Sequence, residues 1–296
     1  MTIVLPTVVG VALIGVVLRD AFDALFHVEG RGTVSRLLAR LVWRAFRWVD
    51  RGHRLFPLAG PVALVVVITT WAVLLIVGWA LIYWPHMPGA FRFDAGVDES
   101  DPALLHALNL SIVTLTTLGF GDVTPASPAL RLIVPVEALV GFGLLSASIA
   151  WLVSIHPALA RRRSLAYEIS LLRVAEADGR LSFEDLPPDA AERLLAELTS
   201  RLIAVERDLV HFPIVYYFSA ADPRFSLPVA APYLLELGLR GTREGRPEVV
   251  RLRAALLLAA IHDFAVTTAR RFHGAEASGA EELLRAYARD HLATER

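Results

Sequence analysis

The sequence predicts an all-α membrane protein with a separate helical domain at its C-terminal end. Composition is the first reason, because 55% of the 296 residues are hydrophobic and the mean hydropathy is +0.52, which is high for a soluble chain. The second is the presence of apolar runs of about membrane-spanning length at residues 3–18, 61–84 and 130–156. The third is the return of charges at helical spacing after residue 157.

Composition also excludes several classes of function. The net charge of -1 argues against a nucleic-acid partner. Cysteine is absent, so the chain has no disulfide framework, thiolate metal site or cysteine nucleophile. Every basic residue is arginine, which removes the lysine of a phosphate-binding loop and that of Schiff-base chemistry. We therefore predict that the chain is not an enzyme and holds no cofactor.

The first apolar run, residues 3–18, has two interpretations. It is close to the shortest length that spans a bilayer as a helix. A cleaved signal peptide is the alternative. Signal peptides have a positive n-region and a small-residue cleavage site, and this run lacks a positive n-region and a clear cleavage site. We favour a retained transmembrane helix over residues 1–20.

Residues 21–58 form a basic cytoplasmic linker in which arginines recur at helical spacing. A voltage sensor is one interpretation, but the segment is too polar to span a membrane. We favour an interfacial amphipathic helix, with Trp43 and Trp48 at the level of the lipid headgroups and the arginines facing anionic lipid. The regularly spaced arginines are Arg36, Arg40, Arg44, Arg47 and Arg51.

Residues 59–158 contain the pattern that carries the functional prediction. The run at 61–84 spans a membrane and ends in Tyr83 and Trp84, which are typical of an aromatic belt at the membrane surface. An acidic loop follows, and then a helix that is too short to span and that ends in threonines. Such a half-helix directs the partial negative charge of its carbonyl end toward the membrane centre. The acids of the loop are Asp94, Asp98, Glu99 and Asp101.

Residues 114–122 read Thr-Leu-Thr-Thr-Leu-Gly-Phe-Gly-Asp. Gly119 and Gly121 permit positive φ, where a residue with a Cβ is strained. Carbonyl oxygens of such a loop, contributed by four chains, replace the hydration shell of a cation. Residues 117–121 resemble the potassium-channel filter Thr-Val-Gly-Tyr-Gly, with Leu118 and Phe120 as the two substitutions. The chain is therefore similar to the tetrameric potassium-channel pore domain.

This resemblance implies both an assembly and a site. The assembly is a homotetramer in a lipid bilayer, in which outer helix, pore helix, filter and inner helix form a potassium-conducting pore. The acids of the preceding loop then either raise the cation concentration at the pore mouth or merely solvate the loop. The implied ion-binding residues are Thr117, Leu118, Gly119, Phe120 and Gly121, of which the first four hold potassium ions; the implied filter supports are Thr116, Asp122 and Glu137; and the implied gating hinge is Gly141.

Two departures from the family pattern bear on the filter. Phe120 lacks the hydroxyl group of the usual tyrosine. Where the family often ties the filter to tryptophans of the pore helix, this chain has Asn109 and Leu110. We therefore expect a different clamp behind the filter.

Two residues of the last apolar run leave alternatives open. Glu137 is an acid inside the span, where a charge is costly and usually functional. It either faces the pore or lies behind the filter, hydrogen-bonded to the pore helix, and the family's packing favours the second. Gly141 is either a gating hinge or a point of close helix packing. If it is the hinge, Phe142, Leu145 and Ile149 face the cavity.

Arginine clusters set the predicted topology. One cluster lies before residue 61 and another at residues 161–163, and the positive-inside rule makes both cytoplasmic. The filter mouth then faces outward from the cell (inner) membrane, and the domain at 159–296 is cytoplasmic. We predict its helices at residues 161–177, 189–218, 227–239, 247–272 and 280–293.

The tail lacks the Gly-x-Gly-x-x-Gly turn and the alternating strands of a nucleotide-binding domain, so its regulatory ligand is left unidentified. One aromatic cluster is either a ligand site or, as we favour, internal packing; it comprises His211, Pro213, Tyr216 and Tyr217. The chain as a whole is predicted to be a homotetrameric cation channel that selects potassium. The alternatives are a non-selective cation channel, or a membrane-anchored signalling or scaffold protein with a non-conducting pore.

Overall fold

The computed structural model describes residues 3–25, 32–49, 55–98, 100–179, 182–273 and 279–291. These described residues form nine α-helices and one two-stranded ribbon, which confirms the all-α class. The helices are α1 (Val4–Leu25), α2 (Thr33–Val49), α3 (Ala59–Tyr83), α4 (Ala103–Leu115), α5 (Pro128–Ala177), α6 (Pro188–His211), α7 (Leu227–Gly241), α8 (Glu248–Thr268) and α9 (Ala280–His291), and the strands are β1 (Phe91–Phe93) and β2 (Val123–Pro125).

Three helices are long and apolar enough to cross a membrane: α1, α3 with its flanking turns, and α5. Helix α4 is apolar but shorter. Helix α5 has 50 residues and is therefore about 75 Å long, well beyond a hydrocarbon core of about 30 Å. The separate helix that we predicted at 161–177 is instead the end of α5. Helix α5 continues through Pro157, although a proline removes one backbone donor from a helix.

The chain divides into two compact units, residues 1–40 with 63–154, and residues 41–62 with 155–296. In the first unit α1 packs closely against α3 where two glycines meet. A Cβ on Gly10 would lie 2.4 Å from the carbonyl oxygen of Gly78, and one on Gly78 would lie 2.8 Å from Cγ1 of Ile14. Small residues let helix backbones approach in this way in membranes. The first apolar helix is thus packed on the outer helix.

A buried carboxylate joins three helices of the first unit. Asp20 of α1 is 4% exposed and accepts the indole N–H of Trp71 at 3.0 Å. Its two oxygens also accept the backbone N–H groups of Val34 and Ser35 at 2.8 and 3.1 Å. These N–H groups lie in the first turn of α2, where they have no partner within their own helix. Asp20 therefore caps α2 and holds α1 against α3.

The acidic loop contains a ribbon that the sequence did not predict. Strands β1 and β2 pair antiparallel, with Arg92 opposite Thr124. The backbone N–H of Asp94 also donates to the carbonyl oxygen of Asp122 at 2.8 Å. The ribbon thereby ties the outer loop to the residues that follow the filter. Glu99, one of the predicted acids, lies outside the described residues.

Helices α6 to α9 pack together in the second unit around leucines and aromatic rings. The helix predicted at 189–218 ends at His211 instead, and Pro213–Tyr217 forms a separate 3-10 helix, because Pro213 supplies no backbone donor. Tyr216 and Tyr217 are 1% and 5% exposed. The ring of Tyr216 stacks on Phe272 with centroids 3.8 Å apart. Both tyrosines therefore belong to the internal packing.

The inward face of α2 contradicts the prediction that Trp43 lies at the level of the lipid headgroups. Trp43 does not lie at the headgroup level, because it is 4% exposed and its ring contacts Phe56 and His291 at centroid distances of 4.5 and 5.0 Å. It shares a face with Ala39 at the i, i+4 spacing of a helix. Trp48, by contrast, is 79% exposed. Arg51 lies outside the described residues.

Candidate functional site

The filter sequence follows α4 as a loop whose backbone alternates in hand. Thr117, Gly119 and Gly121 have φ of 60°, 59° and 77°, whereas Leu118 and Phe120 between them do not have positive φ. Because the sign of φ alternates along the loop, successive peptide planes are rotated in opposite senses. Their carbonyl groups can then point to the same side of the chain. Both glycines thus adopt the conformation that was predicted for them.

Thr117 is strained in this loop. A β-branched residue at positive φ is an outlier that costs about 1–3 kcal/mol and persists only where its surroundings impose it. The end of α4 supplies those surroundings. The backbone N–H of Thr117 donates to the carbonyl oxygen of Thr114 at 3.0 Å, and the N–H of Leu118 donates to that of Val113 at 2.9 Å. Strain of this kind is characteristic of functional sites.

The backbone of the loop explains why glycine occupies positions 119 and 121. A Cβ on Gly119 or Gly121 would meet no atom within 4 Å. Their backbone conformation, rather than lack of space, therefore disfavours other residues at these two positions. The side chains of Leu118 and Phe120 are 60% and 69% exposed in the single chain.

Asp122 is held from two sides where the chain leaves the loop. The side-chain amide of Asn109 in α4 donates to Oδ2 of Asp122 at 3.2 Å. The backbone N–H of Val123 donates to Oδ1 at 3.0 Å. An amide thus takes the place of the tryptophan clamp expected from the family pattern, at one of the two positions where the sequence departs from it.

The end of α4 packs directly on the inner helix α5. A Cβ on Gly141 would lie 1.9 Å from the carbonyl oxygen of Leu115, whereas a Cβ on Gly143 would meet nothing within 4 Å. Close packing therefore accounts for Gly141, and its role as a hinge stays a prediction. Thr116 is near this contact, and its hydroxyl donates to the carbonyl oxygen of Ile112 at 2.6 Å. That bond completes the last turn of α4.

Glu137 is completely buried and lies behind the loop. Its Oε2 accepts the hydroxyl of Tyr83 at 2.7 Å, and its Oε1 lies 2.5 Å from the hydroxyl of Ser111 in α4. The carboxyl group therefore joins the outer helix, the short helix and the inner helix. The prediction that Tyr83 lies in an aromatic belt is wrong, because its side chain is buried against Glu137. Trp84 is 40% exposed and suits such a belt.

The hydroxyl protons around Glu137 can be counted. Ser111 Oγ also lies 3.0 Å from the carbonyl oxygen of Ile76. The hydroxyl groups of Tyr83 and Ser111 have one proton each, but they face three acceptors, namely the two oxygens of Glu137 and the carbonyl oxygen of Ile76. A proton on Glu137 completes all three bonds, because the acid then donates to Ser111 and Ser111 donates to Ile76. The neutral acid also avoids placing a charge in the membrane.

Residues 63–155 match a protein family described as "Ion channel". These residues form an ion-channel domain. The match lies within the pore domain that we predicted at 59–158 and includes the filter loop, Glu137 and Gly141. It begins in the outer helix and ends in the inner helix.

Two relatives extend this comparison. The "Uncharacterized membrane protein YdjJ" of Bacillus subtilis is 25% identical over 224 residues, which are 73% of this chain and 63% of the relative. The "Two pore potassium channel c" of Oryza sativa is 38% identical over 72 residues, which are 24% of this chain and 15% of the relative. The chain thus spans less than two thirds of either relative's length. No solved structure matches the chain significantly.

Three site residues of the ion-channel domain were not recognised in the sequence. Tyr83 and Ser111 complete the contacts of Glu137, and Asn109 holds Asp122. Each is a polar residue with an apolar residue on either side in the sequence, and such residues need hydrogen-bond partners within the protein because the surrounding lipid offers none. That signal is present in the sequence, but it does not identify the partner.

Proposed function

We propose that the chain forms a homotetrameric cation channel that selects potassium. The observation that carries this proposal is the alternating backbone at Thr117, Gly119 and Gly121, in a loop that follows a short apolar helix. Four such loops around one axis supply the rings of carbonyl oxygens that replace an ion's hydration shell. Thr117 to Phe120 hold the potassium ions in this proposal, and Gly121 closes the filter.

The ion-channel domain and one relative support the choice of ion. The helix dipole of α4 places its partial negative charge at Leu115, immediately before the loop, where it favours a cation. The rice relative is by its name a potassium channel. A loop that binds dehydrated ions through carbonyl groups distinguishes potassium from sodium, which holds its water more tightly.

Buried contacts behind the loop support its shape in this proposal. Glu137 braces α4 through Ser111, and Asn109 braces the exit of the loop through Asp122. Phe120 lacks the hydroxyl group of the usual tyrosine. The filter therefore depends on these two braces for the geometry that separates sodium from potassium.

We place the protein in the cell membrane with its C-terminal domain in the cytoplasm. The positive-inside rule supports this orientation, because Arg161, Arg162 and Arg163 follow the membrane part of α5. The outward face of α2, which includes Leu41 and Trp48 at 50% and 79% exposure, is suited to the membrane surface. Arg44 lies beside these residues on the helix and suits anionic headgroups.

Flux through purified protein in liposomes tests the proposal. We expect potassium flux that exceeds sodium flux, and we expect its selectivity to be lost in Gly121→Ala, because alanine is strained at a φ of 77°. Gly143→Ala is the matched control, since a Cβ has open space there. Equal sodium and potassium flux favours a non-selective channel. No flux through intact tetramers favours the scaffold function.

A further inference from the structure

The last helix, α9, carries a carboxylate that gathers three donors. Asp290 accepts the indole N–H of Trp43 at 3.2 Å, pairs with the guanidinium group of Arg47 and accepts the hydroxyl of Tyr216. Its side chain is only 11% exposed. Trp43 and Arg47 belong to α2, and Tyr216 belongs to the 3-10 helix Pro213–Tyr217. One side chain of α9 thus fastens α2 to this short helix.

The same 3-10 helix holds the continuation of the inner helix. Arg162 of α5 is 7% exposed, and its guanidinium group donates to the carbonyl oxygens of Val215, at 2.6 Å, and of Phe218. In the part of the chain that the structure describes, no carboxylate pairs with Arg162. These carbonyl groups at the end of the short helix, where partial negative charge gathers, therefore compensate the buried cation.

The joint between these elements is packed, and it contains a buried histidine. His291 is 7% exposed, and its Nε2 lies 2.9 Å from the carbonyl oxygen of Tyr216. Burial lowers the pKa of His291 to about 4, so the ring is neutral at pH 7. The hydroxyl of Ser219 donates to the carbonyl oxygen of Phe56 at 3.1 Å. The 3-10 turn Phe56–Leu58, which directly precedes α3, is thereby attached to the same joint.

We propose that Asp290 couples the helical domain to the gate of the channel, an inference that rests on the proposed function. In the sequence α2 precedes the outer helix, and α5 is itself the inner helix. Both are attached to the 3-10 helix, one through Asp290 and the other through Arg162. A movement of α9 therefore reaches the ends of both pore helices through discrete bonds, as a two-state coupling requires.

Single-channel recording of the full chain in planar bilayers tests this role. Asp290→Asn and Tyr216→Phe remove the charge and the hydroxyl of one hydrogen bond. We expect each to change the open probability about fivefold or more, while the unitary potassium current stays as in the wild type. A merely structural role in the filter would alter the unitary current instead. Tyr216→Phe removes only the bond between the hydroxyl and the carboxylate, whereas Asp290→Asn also removes the charge that pairs with Arg47, so we expect the larger change in Asp290→Asn.

Glu281→Gln is the matched control on the same helix, because Glu281 pairs with Arg285 at the surface. Gel filtration and thermal melting establish that each variant assembles; if Asp290→Asn does not, Tyr216→Phe decides, since it removes a single oxygen atom. If the folded variants have the same open probability as the wild type, the coupling role is overturned and the proposed channel function is unaffected. Absence of potassium current in the wild type overturns the proposed function, and the gating role with it.

Discussion

The hydroxyl of Tyr83 donates a hydrogen bond of 2.7 Å to Oε2 of Glu137. Tyr83 is the last residue of the outer helix and Glu137 lies within the inner helix, so this bond joins the two helices beside the short helix α4. Neither side chain is exposed in the single chain. The contact therefore belongs to the interior of the subunit and not to the pore surface.

The proton count at Glu137 makes the first prediction. Glu137→Gln keeps an acceptor for Tyr83 and a donor for Ser111, so we expect tetramer stability and potassium flux near those of the wild type. Glu137→Ala leaves the buried hydroxyl of Tyr83 without this partner, at a cost of about 1–3 kcal/mol, whereas Ser111 keeps the carbonyl oxygen of Ile76. Thermal melting of the tetramer and liposome flux measure both effects. A glutamine variant as damaged as the alanine variant would show that an ionised carboxylate is required.

Gly141 and Gly143 form a matched pair for the second prediction. Gly141→Ala places a Cβ 1.9 Å from the carbonyl oxygen of Leu115, and overpacking of this kind costs about 1–3 kcal/mol or more. We expect a lower melting temperature. Gly143→Ala has open space and should melt as the wild type does. If Gly141→Ala alters only the open probability and leaves the melting temperature unchanged, the result supports the hinge and contradicts close packing.

The capping carboxylate Asp20 leads to the third prediction. Asp20→Ala removes the partner of Trp71 and of two backbone donors of α2. Loss of a helix cap costs about 0.5–2 kcal/mol, and the buried indole donor adds to this. We expect a lower melting temperature and weaker protection of α2 from hydrogen exchange. Asp23→Ala is the control, since its ion pair with Arg19 is 3.8 Å long and Arg19 is 85% exposed.

The fourth prediction concerns the pH dependence of the helical domain. Arg240 pairs with Glu176 at 2.8 Å and with Glu184. The hydrogen bond from Arg240 lowers the pKa of Glu184 to about 2. Because the pKa in the folded state is below the ordinary value of 4.5, this stabilisation is present above pH 4.5 and is lost as the pH falls toward about 2.

Arg240→Gln tests this dependence by thermal melting at pH 7 and at pH 3. We expect a lower melting temperature at pH 7 and a smaller loss between the two pH values, since the pKa of Glu184 returns toward its ordinary value. Arg285→Gln is the control, because that arginine and its partner are 70% and 65% exposed and exposed pairs contribute little. An unchanged acid dependence in Arg240→Gln would contradict the assigned cause.

Local patterns predicted the elements of the ion-channel domain. The lengths of the apolar runs and the two glycines of the filter are read within short windows, and a glycine's tolerance of positive φ is a property of the residue itself. We predicted a helix at 161–177 separate from the apolar run that ends at 156, whereas α5 continues through Pro157. Whether a proline ends a helix depends on what surrounds it, so the continuous helix α5 could not be predicted from residue type.

The sequence by itself determined that the chain is a membrane protein, that a loop with two glycines follows a short helix, and that Glu137 needs a partner. These follow from composition and residue chemistry, which do not depend on distant parts of the chain. Only the tertiary structure decided that the partners are Tyr83 and Ser111, and that Trp43 faces Asp290. Hydrogen bonds join residues that are far apart in sequence, because the packing of helices, and not residue type, determines which polar groups meet.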